Sequence, residues 1–265
     1  MKFFTSIAVL LLMMVSFPIQ ADDEFCGVRN TAFNANEALT YKVYYTLAGV
    51  YIAAGEATFT CTLEQLNGKT VYHVIGSGQS NSFVDNLFKV RDRYESYIDT
   101  GTLQPYKFIR RVDEGGYKKY EDVSFNKVTN AAVTTDGVFK VPSCVQDVIS
   151  AIYYARNINF KGLMQNDTIP FSMFLDNQVY HLYIRYLGKE IIKTRYGKFR
   201  AIKFKPLLIN GTIFTGGEKM TVWVSDDPNH VPLHVESPIS VGSVKVDMMD
   251  FRNRRSRLSS LLDVR

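Results

Sequence analysis

The chain has 265 residues, is 46% hydrophobic and 22% charged, and carries a formal net charge of +5. That is ordinary globular material with enough apolar mass for a core. So small an excess of charge does not by itself indicate nucleic acid, and no apolar run after Ala21 is long enough for a membrane-spanning helix.

The first 21 residues read as a secretory signal peptide. Lys2 supplies the positive start, Phe3 to Val15 is apolar except for Thr5 and Ser6, and Ser16 to Ala21 holds a helix-breaking Pro18 and a small residue at the expected cleavage point. The mature chain is expected to start near Asp22 and to be exported. Its length of roughly 244 residues suits one β-rich domain over residues 22–265. Cys26 follows Asp23-Glu24-Phe25 rather than the small or apolar residues that precede a lipidated cysteine, so no lipid anchor is expected.

Residues 37–63 read as a β-hairpin, because Leu39, Tyr41, Val43 and Tyr45 alternate with Thr40, Lys42 and Tyr44, as Ala57, Phe59 and Cys61 do with Thr58 and Thr60. Asn67-Gly68 is a turn signal before a strand over 70–78. Phe83, Leu87 and Phe88 fall at helical spacing, which predicts a short helix over 81–89. Strand patterns follow at 90–98, 105–113, 117–125 and 131–135, with a turn at Asp136-Gly137. Val145–Asn157 is the clearest helix. Val145, Val148, Ile149, Ile152 and Tyr153 form its apolar stripe, with Ser143 as the expected N-cap and Gln146 at the capping-box position. Further strands are predicted at 168–175, 178–187, 189–194, 199–208, 218–225, 231–236 and 243–252. Sequential strands with tight turns argue for a mainly β fold, one large antiparallel sheet curved into a partial barrel. The long helix and one or two short ones would lie in or over its concave face.

Few motifs carry chemistry. His230 and His234 have a zinc half-site spacing only on a helix, and the strand-like sequence around them speaks against it. Trp223-Val224-Ser225-Asp226-Asp227-Pro228 offers Asp226 and Asp227 as a carboxylate pair beside a serine, but Asp in such a string also ends strands in turns. No nucleophile elbow, phosphate loop or dinucleotide fingerprint occurs, so no enzyme activity, metal or cofactor is expected. Of three cysteines, Cys61 reads as buried in a strand, while Cys26 and Cys144 stand beside turns and are expected to pair. Asn166-Asp167-Thr168 makes Thr168 a candidate glycosylation position. Arg252, Arg254, Arg255 and Arg257 form a basic C-terminal cluster that could touch an anionic surface.

Several strings together resemble the exported bacterial family called domain of unknown function 3108. They are Phe33 to Tyr45, Ala54 to Ala57, Asp147 to Arg156, Tyr196 to Phe204, Trp223 to Pro228, Val231 to Glu236 and Val241 to Val244. The family usually has Gly where Asn36 stands. The resemblance brings no catalytic residues. It implies an antiparallel half-barrel with a helix in its concavity, like that of periplasmic lipoprotein carriers (LolA/LolB-like), hence the periplasm of a Gram-negative bacterium.

The leading expectation is non-enzymatic binding of a lipid, acyl chain or other amphipathic ligand in the half-barrel. Phe83, Leu87, Phe88, Val148, Ile152, Tyr153 and Trp223 would line the cavity. The alternatives are a filled-core interaction module of the envelope with a protein partner, and a hydrolase using Asp226 or Asp227. Peripheral membrane contact is expected, if anywhere, through the basic C-terminal cluster.

Overall fold

The structure is a computed structural model, and it describes residues 26–47, 50–210, 216–239 and 242–264. The signal-peptide reading of residues 1–21 lies outside the described residues.

Two antiparallel meanders make one sheet of fifteen strands. The first runs through β1 (Ala38–Leu47), β2 (Val50–Leu66), β3 (Lys69–Ser80), β4 (Arg91–Asp99), β5 (Pro105–Glu114), β6 (Tyr117–Asn126), β7 (Ala131–Thr134) and β8 (Gly137–Lys140). The second runs through β9 (Thr168–Leu175), β10 (Gln178–Lys193), β11 (Gly197–Pro206), β12 (Thr221–Ser225), β13 (Pro232–Pro238) and β14 (Ser243–Arg252). β1 pairs with β14 and joins the meanders, while β15 (Leu261–Val264) pairs with β11. Turn chemistry sets these registers. Asn67 and Gly68 both have positive φ, as do Asp176 and Asn177, which is the geometry of two-residue hairpins.

The chain crosses between the meanders through α2 (Val148–Ala155), a helix of 8 residues rather than the long helix expected over 145–157. The cause is β9. The N–H of Gln146 donates to the Ser172 carbonyl at 2.9 Å and its carbonyl accepts from the Phe174 N–H at 2.9 Å. Residue 146 therefore runs as an extra strand position beside β9 and cannot be helical. The N-cap falls on Asp147, not Ser143. Its carboxylate accepts from the N–H of Ile149 and Ser150, each at 2.8 Å, and the Asp147 N–H donates to the Ser150 hydroxyl at 2.8 Å, a complete capping box. The strands expected at 178–187 and 189–194 are a single β10. A bulge at Gly188, with φ +104, lets the strand continue past the break in pattern.

The helix packs against β3, β4 and β9 of the sheet. Ile149, Tyr153 and Tyr154 join Val74, Ile98, Phe108, Val123, Phe171, Phe174 and Ile202 in the main core. A Cβ at Gly76 would fall 3.1 Å from Cδ1 of Ile149 and 3.0 Å from the Phe59 ring, so glycine is what lets the helix come this close to β3. The free edges of the meanders also approach each other. Arg110 on β5 contacts Glu121 on β6 at 2.8 Å and pairs with Asp176 in the β9–β10 turn, which Lys119 also holds. Phe125 meets Phe174 edge-on, with centroids 6.1 Å apart. A second cluster gathers Leu39, Tyr41, Phe199, Trp223, Leu233, Met248 and Leu258. Cys26 and Cys144 form the expected disulfide, which ties the N-terminal segment to the lead-in of α2, and Cys61 is free and buried.

Candidate functional site

The structure separates the seven residues expected to line a ligand cavity into three places. Val148, Ile152 and Tyr153 pack into the main core, where Tyr153 is only 1% exposed and meets Phe33 edge-on at 4.8 Å. Trp223 is elsewhere. Its neighbour Val224 belongs to the main core, so on an alternating strand Trp223 faces the other way. There its indole N–H donates to Glu190 at 2.5 Å, and it packs against the Lys203 ammonium and the His234 ring. Phe83, Leu87 and Phe88 lie at one end of the sheet, with Leu87 80% and Phe83 63% exposed.

That end is built by polar contacts beneath an apolar surface. α1 (Ser82–Asp85) is one turn long and is capped by Asn81, whose side chain accepts from the Val84 N–H at 3.0 Å. Asn81 also bonds the carbonyls of Ala53 and Ala54 on β2, at 2.5 and 2.9 Å. Arg91 grips Asp85 through two nitrogens at 3.0 and 2.6 Å, and the Ser80 hydroxyl donates to the same carboxylate. The Gly115 N–H donates to the Lys89 carbonyl at 2.8 Å. The Phe88 ring lies so close over Gly115 that a Cβ there would collide with it. Segment 81–90 is thus held from below, with Phe83 and Leu87 largely exposed while Phe88 packs over Gly115.

Beside this segment is a polar recess of about 370 Å³ lined by Glu56, Thr58, Ser77, Gly78, Gln79, Arg91, Asp92 and Arg93. Register explains it. Thr58 pairs with Ser77 and Ser77 with Arg93, while Glu56 pairs with Gln79 and Gln79 with Arg91, giving two adjacent rows of polar side chains on the outer face. Glu56 is held by Lys42 at 3.1 Å. Arg93 stands directly opposite Arg111, an unfavourable like-charge pair. Glu95 offsets it by accepting from Arg93 at 2.9 Å and from Arg111 at 2.7 Å. Sequence reasoning did not find this recess. The i, i+2 spacing of Arg91 and Arg93 was visible, but the partners across β2 and β3 depend on register.

On the inner face of β4, which Tyr94 shares, Asp92 meets Glu114. Burial, together with the hydrogen bond to Glu114, pushes the Asp92 carboxyl up to about 7. The Asp113 N–H donates to Asp92 at 3.1 Å.

The Ser225-Asp226-Asp227 string forms a turn. Asp227 Oδ1 accepts from the Ser225 hydroxyl at 3.1 Å and from the Asn229 N–H and side-chain amide, each at 3.0 Å. Its Oδ2 accepts from the Ser260 hydroxyl at 2.5 Å. Asp226 pairs instead with Lys189 at 2.7 Å, so the two carboxylates point to different partners. The turn adjoins a buried ion pair. Arg156 meets both oxygens of Glu37 at 2.5 and 2.8 Å, and its Nε donates to the Asn229 carbonyl at 3.1 Å. Several strings of the family resemblance therefore converge at one place. Asn36, where the family usually has Gly, has φ +67, a left-handed position that Asn tolerates better than most residues.

The remaining candidates are structural in their contacts. His230 bonds the Arg156 carbonyl at 2.7 Å, and His234 bonds Asp247 at 2.6 Å and Glu236 at 3.1 Å. Among the described residues no three His, Cys, Asp or Glu side chains gather as metal ligands do. Thr168 is exposed at the start of β9. The basic C-terminal segment is strapped to the fold rather than loose. Arg255 donates to the Phe33 carbonyl at 3.2 Å, the Ser256 N–H to Asn229 at 2.8 Å, and β15 follows.

No curated protein matches the chain. Among solved structures, a β-barrel-like protein of domain of unknown function DUF1849 from Brucella abortus is similar with a TM-score of 0.56 at 7% identity, over 85% of this chain and 99% of that one. At that identity the likeness concerns the fold alone. A provisionally described lipoprotein from Parabacteroides distasonis gives a TM-score of 0.39 at 12% identity, over 84% of this chain and 100% of that one. A provisionally described exported protein with a YMCC-like fold from Bacteroides fragilis gives 0.31 at 11% identity, over 85% and 99%. Residues 40–249 match the family described as protein of unknown function DUF3108, and the chain belongs to that family.

Proposed function

We propose that this protein is exported to the periplasm of a Gram-negative bacterium and works there as a non-catalytic interaction module of the cell envelope. Its contact surface is the apolar end of the sheet at Phe83, Leu87 and Phe88. One observation carries the reading: segment 81–90 is fastened by Asn81, Ser80 and Arg91, yet leaves Leu87 80% exposed. Singly exposed apolar residues are ordinary, but several gathered at one place mark a contact surface. Export is supported by the signal-like first 21 residues and by the Cys26–Cys144 disulfide, which suits an oxidising compartment.

A carrier holding an acyl chain in the concave face would need the space that Ile149, Tyr153 and Tyr154 of α2 fill. A hydrolase based on Asp226 and Asp227 would need carboxylates free to act, whereas Asp227 already accepts on both oxygens. The test is native mass spectrometry of the mature protein purified from its own envelope, followed by lipid extraction, together with a photo-crosslinker at position 87. A bare protein mass with crosslinks from position 87 to envelope material is expected. A stoichiometric adduct of lipid mass would replace this reading by the carrier.

A further inference from the structure

The apolar end and the polar recess are two halves of one surface. Segment 81–90 leaves β3 after Ser80 and enters β4 at Arg91, so the strand residues that line the recess, Ser77, Gln79, Arg91 and Arg93, directly flank Phe83, Leu87 and Phe88. Thr58, Ser77 and Gln79 form no side-chain hydrogen bond among the described residues, so their donors remain available to a ligand. The Arg91 and Arg93 guanidiniums are both part-exposed, and Lys89 is exposed on the linking segment. The acidic groups nearby are engaged: Asp85 by Arg91, Glu56 by Lys42, Glu95 by Arg93 and Arg111, and Asp92, which also lines the recess, by Glu114 and the Asp113 N–H. Net positive donors therefore lie within one segment of large exposed apolar side chains.

From this juxtaposition we infer that the partner of the apolar end is an anionic lipid surface. Phe83, Leu87 and Phe88 enter the headgroup–acyl boundary, and Arg93 with Ser77 and Thr58 receives a headgroup phosphate in the recess. The inference rests on the interaction-module reading and names its partner. The physics is that of interfacial anchors: apolar side chains supply partition energy, and basic groups supply attraction to anionic lipid. Guanidinium suits a phosphate better than ammonium does, because its fork of donors matches the phosphate oxygens. A 370 Å³ recess has room for such a group.

The test is flotation of the full mature chain with phosphatidylcholine vesicles, with and without phosphatidylglycerol. Flotation is expected only with phosphatidylglycerol and is expected to weaken as salt rises. Leu87→Ser should lower partitioning about tenfold, as loss of one buried leucine does. Arg93→Gln should lower it about threefold to fivefold, as loss of one basic contact with an anionic membrane does. Arg111 still holds Glu95 in that variant, and melting curves check that both variants fold. Arg254→Gln with Arg257→Gln should change nothing. The inference is overturned if the folded wild type does not float, if Leu87→Ser floats like wild type, or if binding follows the C-terminal arginines. If vesicles fail while position 87 still crosslinks to one envelope protein, the lipid partner is wrong and the interaction module stands. If both fail, the module reading falls as well.

Discussion

Glu37→Gln should be the most damaging conservative change in this molecule. The Glu37 side chain is 0% exposed and that of Arg156 is 2% exposed. Their two hydrogen bonds, at 2.5 and 2.8 Å, are the anionic contacts of a guanidinium that otherwise bonds the carbonyls of Asn229 at 3.1 Å and Ala32 at 3.4 Å and packs over the Phe33 and Tyr153 rings. Burial opposes the Arg156 charge and Glu37 favours it; a guanidinium does not give up its proton in a protein even without that help, so Arg156 stays charged in the variant. Removing one partner of a buried pair leaves an uncompensated charge and costs about 3–5 kcal/mol. For a domain of this size each kcal/mol shifts the melting temperature by about 2–4 °C. The expected fall is therefore about 6–20 °C. Urea unfolding is read conveniently from the fluorescence of Trp223, the chain's one tryptophan. Glu37→Leu combined with Arg156→Met should recover much of the loss, because an apolar pair of similar volume carries no stranded charge. A loss below about 1 kcal/mol for Glu37→Gln, or a double variant worse than the single one, would refute the reasoning.

Four further outcomes follow from the same contacts. Asp227→Ala removes the acceptor for Ser225, Asn229 and Ser260 and should cost upwards of about 3 kcal/mol, while Asp226→Asn, which loses only the surface pair with Lys189, should stay within about 0.5 kcal/mol by urea titration. Replacing Cys26 and Cys144 by serine opens a link across 118 residues and should cost about 2–5 kcal/mol; equal midpoints with and without reductant would show that the bond contributes nothing. Asp92 keeps its proton up to about 7 in the fold, but an unfolded aspartate loses it near 3.9, so its stabilisation is full below about pH 4 and is lost as pH rises through 7. Asp92→Asn should flatten the decline of stability over that window, and some slope should remain because burial raises Asp147 to about 7 as well. Gly55→Ala would drive a methyl group into the Gln79 carbonyl on the neighbouring strand, so the β2–β3 pairing should loosen, visible as faster amide exchange at Asn81, whose N–H donates to the Ala54 carbonyl.

Period two made most strands legible. Leu39, Tyr41, Ala57, Phe59 and Cys61 all alternate as they stand in the sheet, and Asn67-Gly68 and Asp176-Asn177 turn where turn chemistry places them. The helix was legible only in its centre. The pattern Val145, Val148, Ile149 is apolar whether the backbone is helical or extended, and the extra hydrogen bonds from Gln146 to β9 chose extended. β8 and β15 were not predicted; each is a four-residue strand. The break at Gly188 looked like the end of a strand, since a bulge and a turn share the same glycine signal. Glu37–Arg156 joins residues 119 positions apart, which no local pattern encodes.

The apolar end shows where sequence periodicity stops. Phe83 and Leu87 have the i, i+4 spacing of one helical face, and spacing alone says that these two point the same way. It does not say whether that way is in or out. The polar neighbours decide. Asn81 spends its amide on β2, Ser80 and Arg91 converge on Asp85, and the Lys89 carbonyl accepts from Gly115, so the underside of the segment is already committed to hydrogen bonds. An apolar face turned inward would have to displace those bonds and strand the Asp85 carboxylate among apolar groups, a cost of several kcal/mol that burial of two or three side chains does not clearly exceed. The outward arrangement keeps these hydrogen bonds and leaves the hydrophobic gain to whatever surface the protein meets.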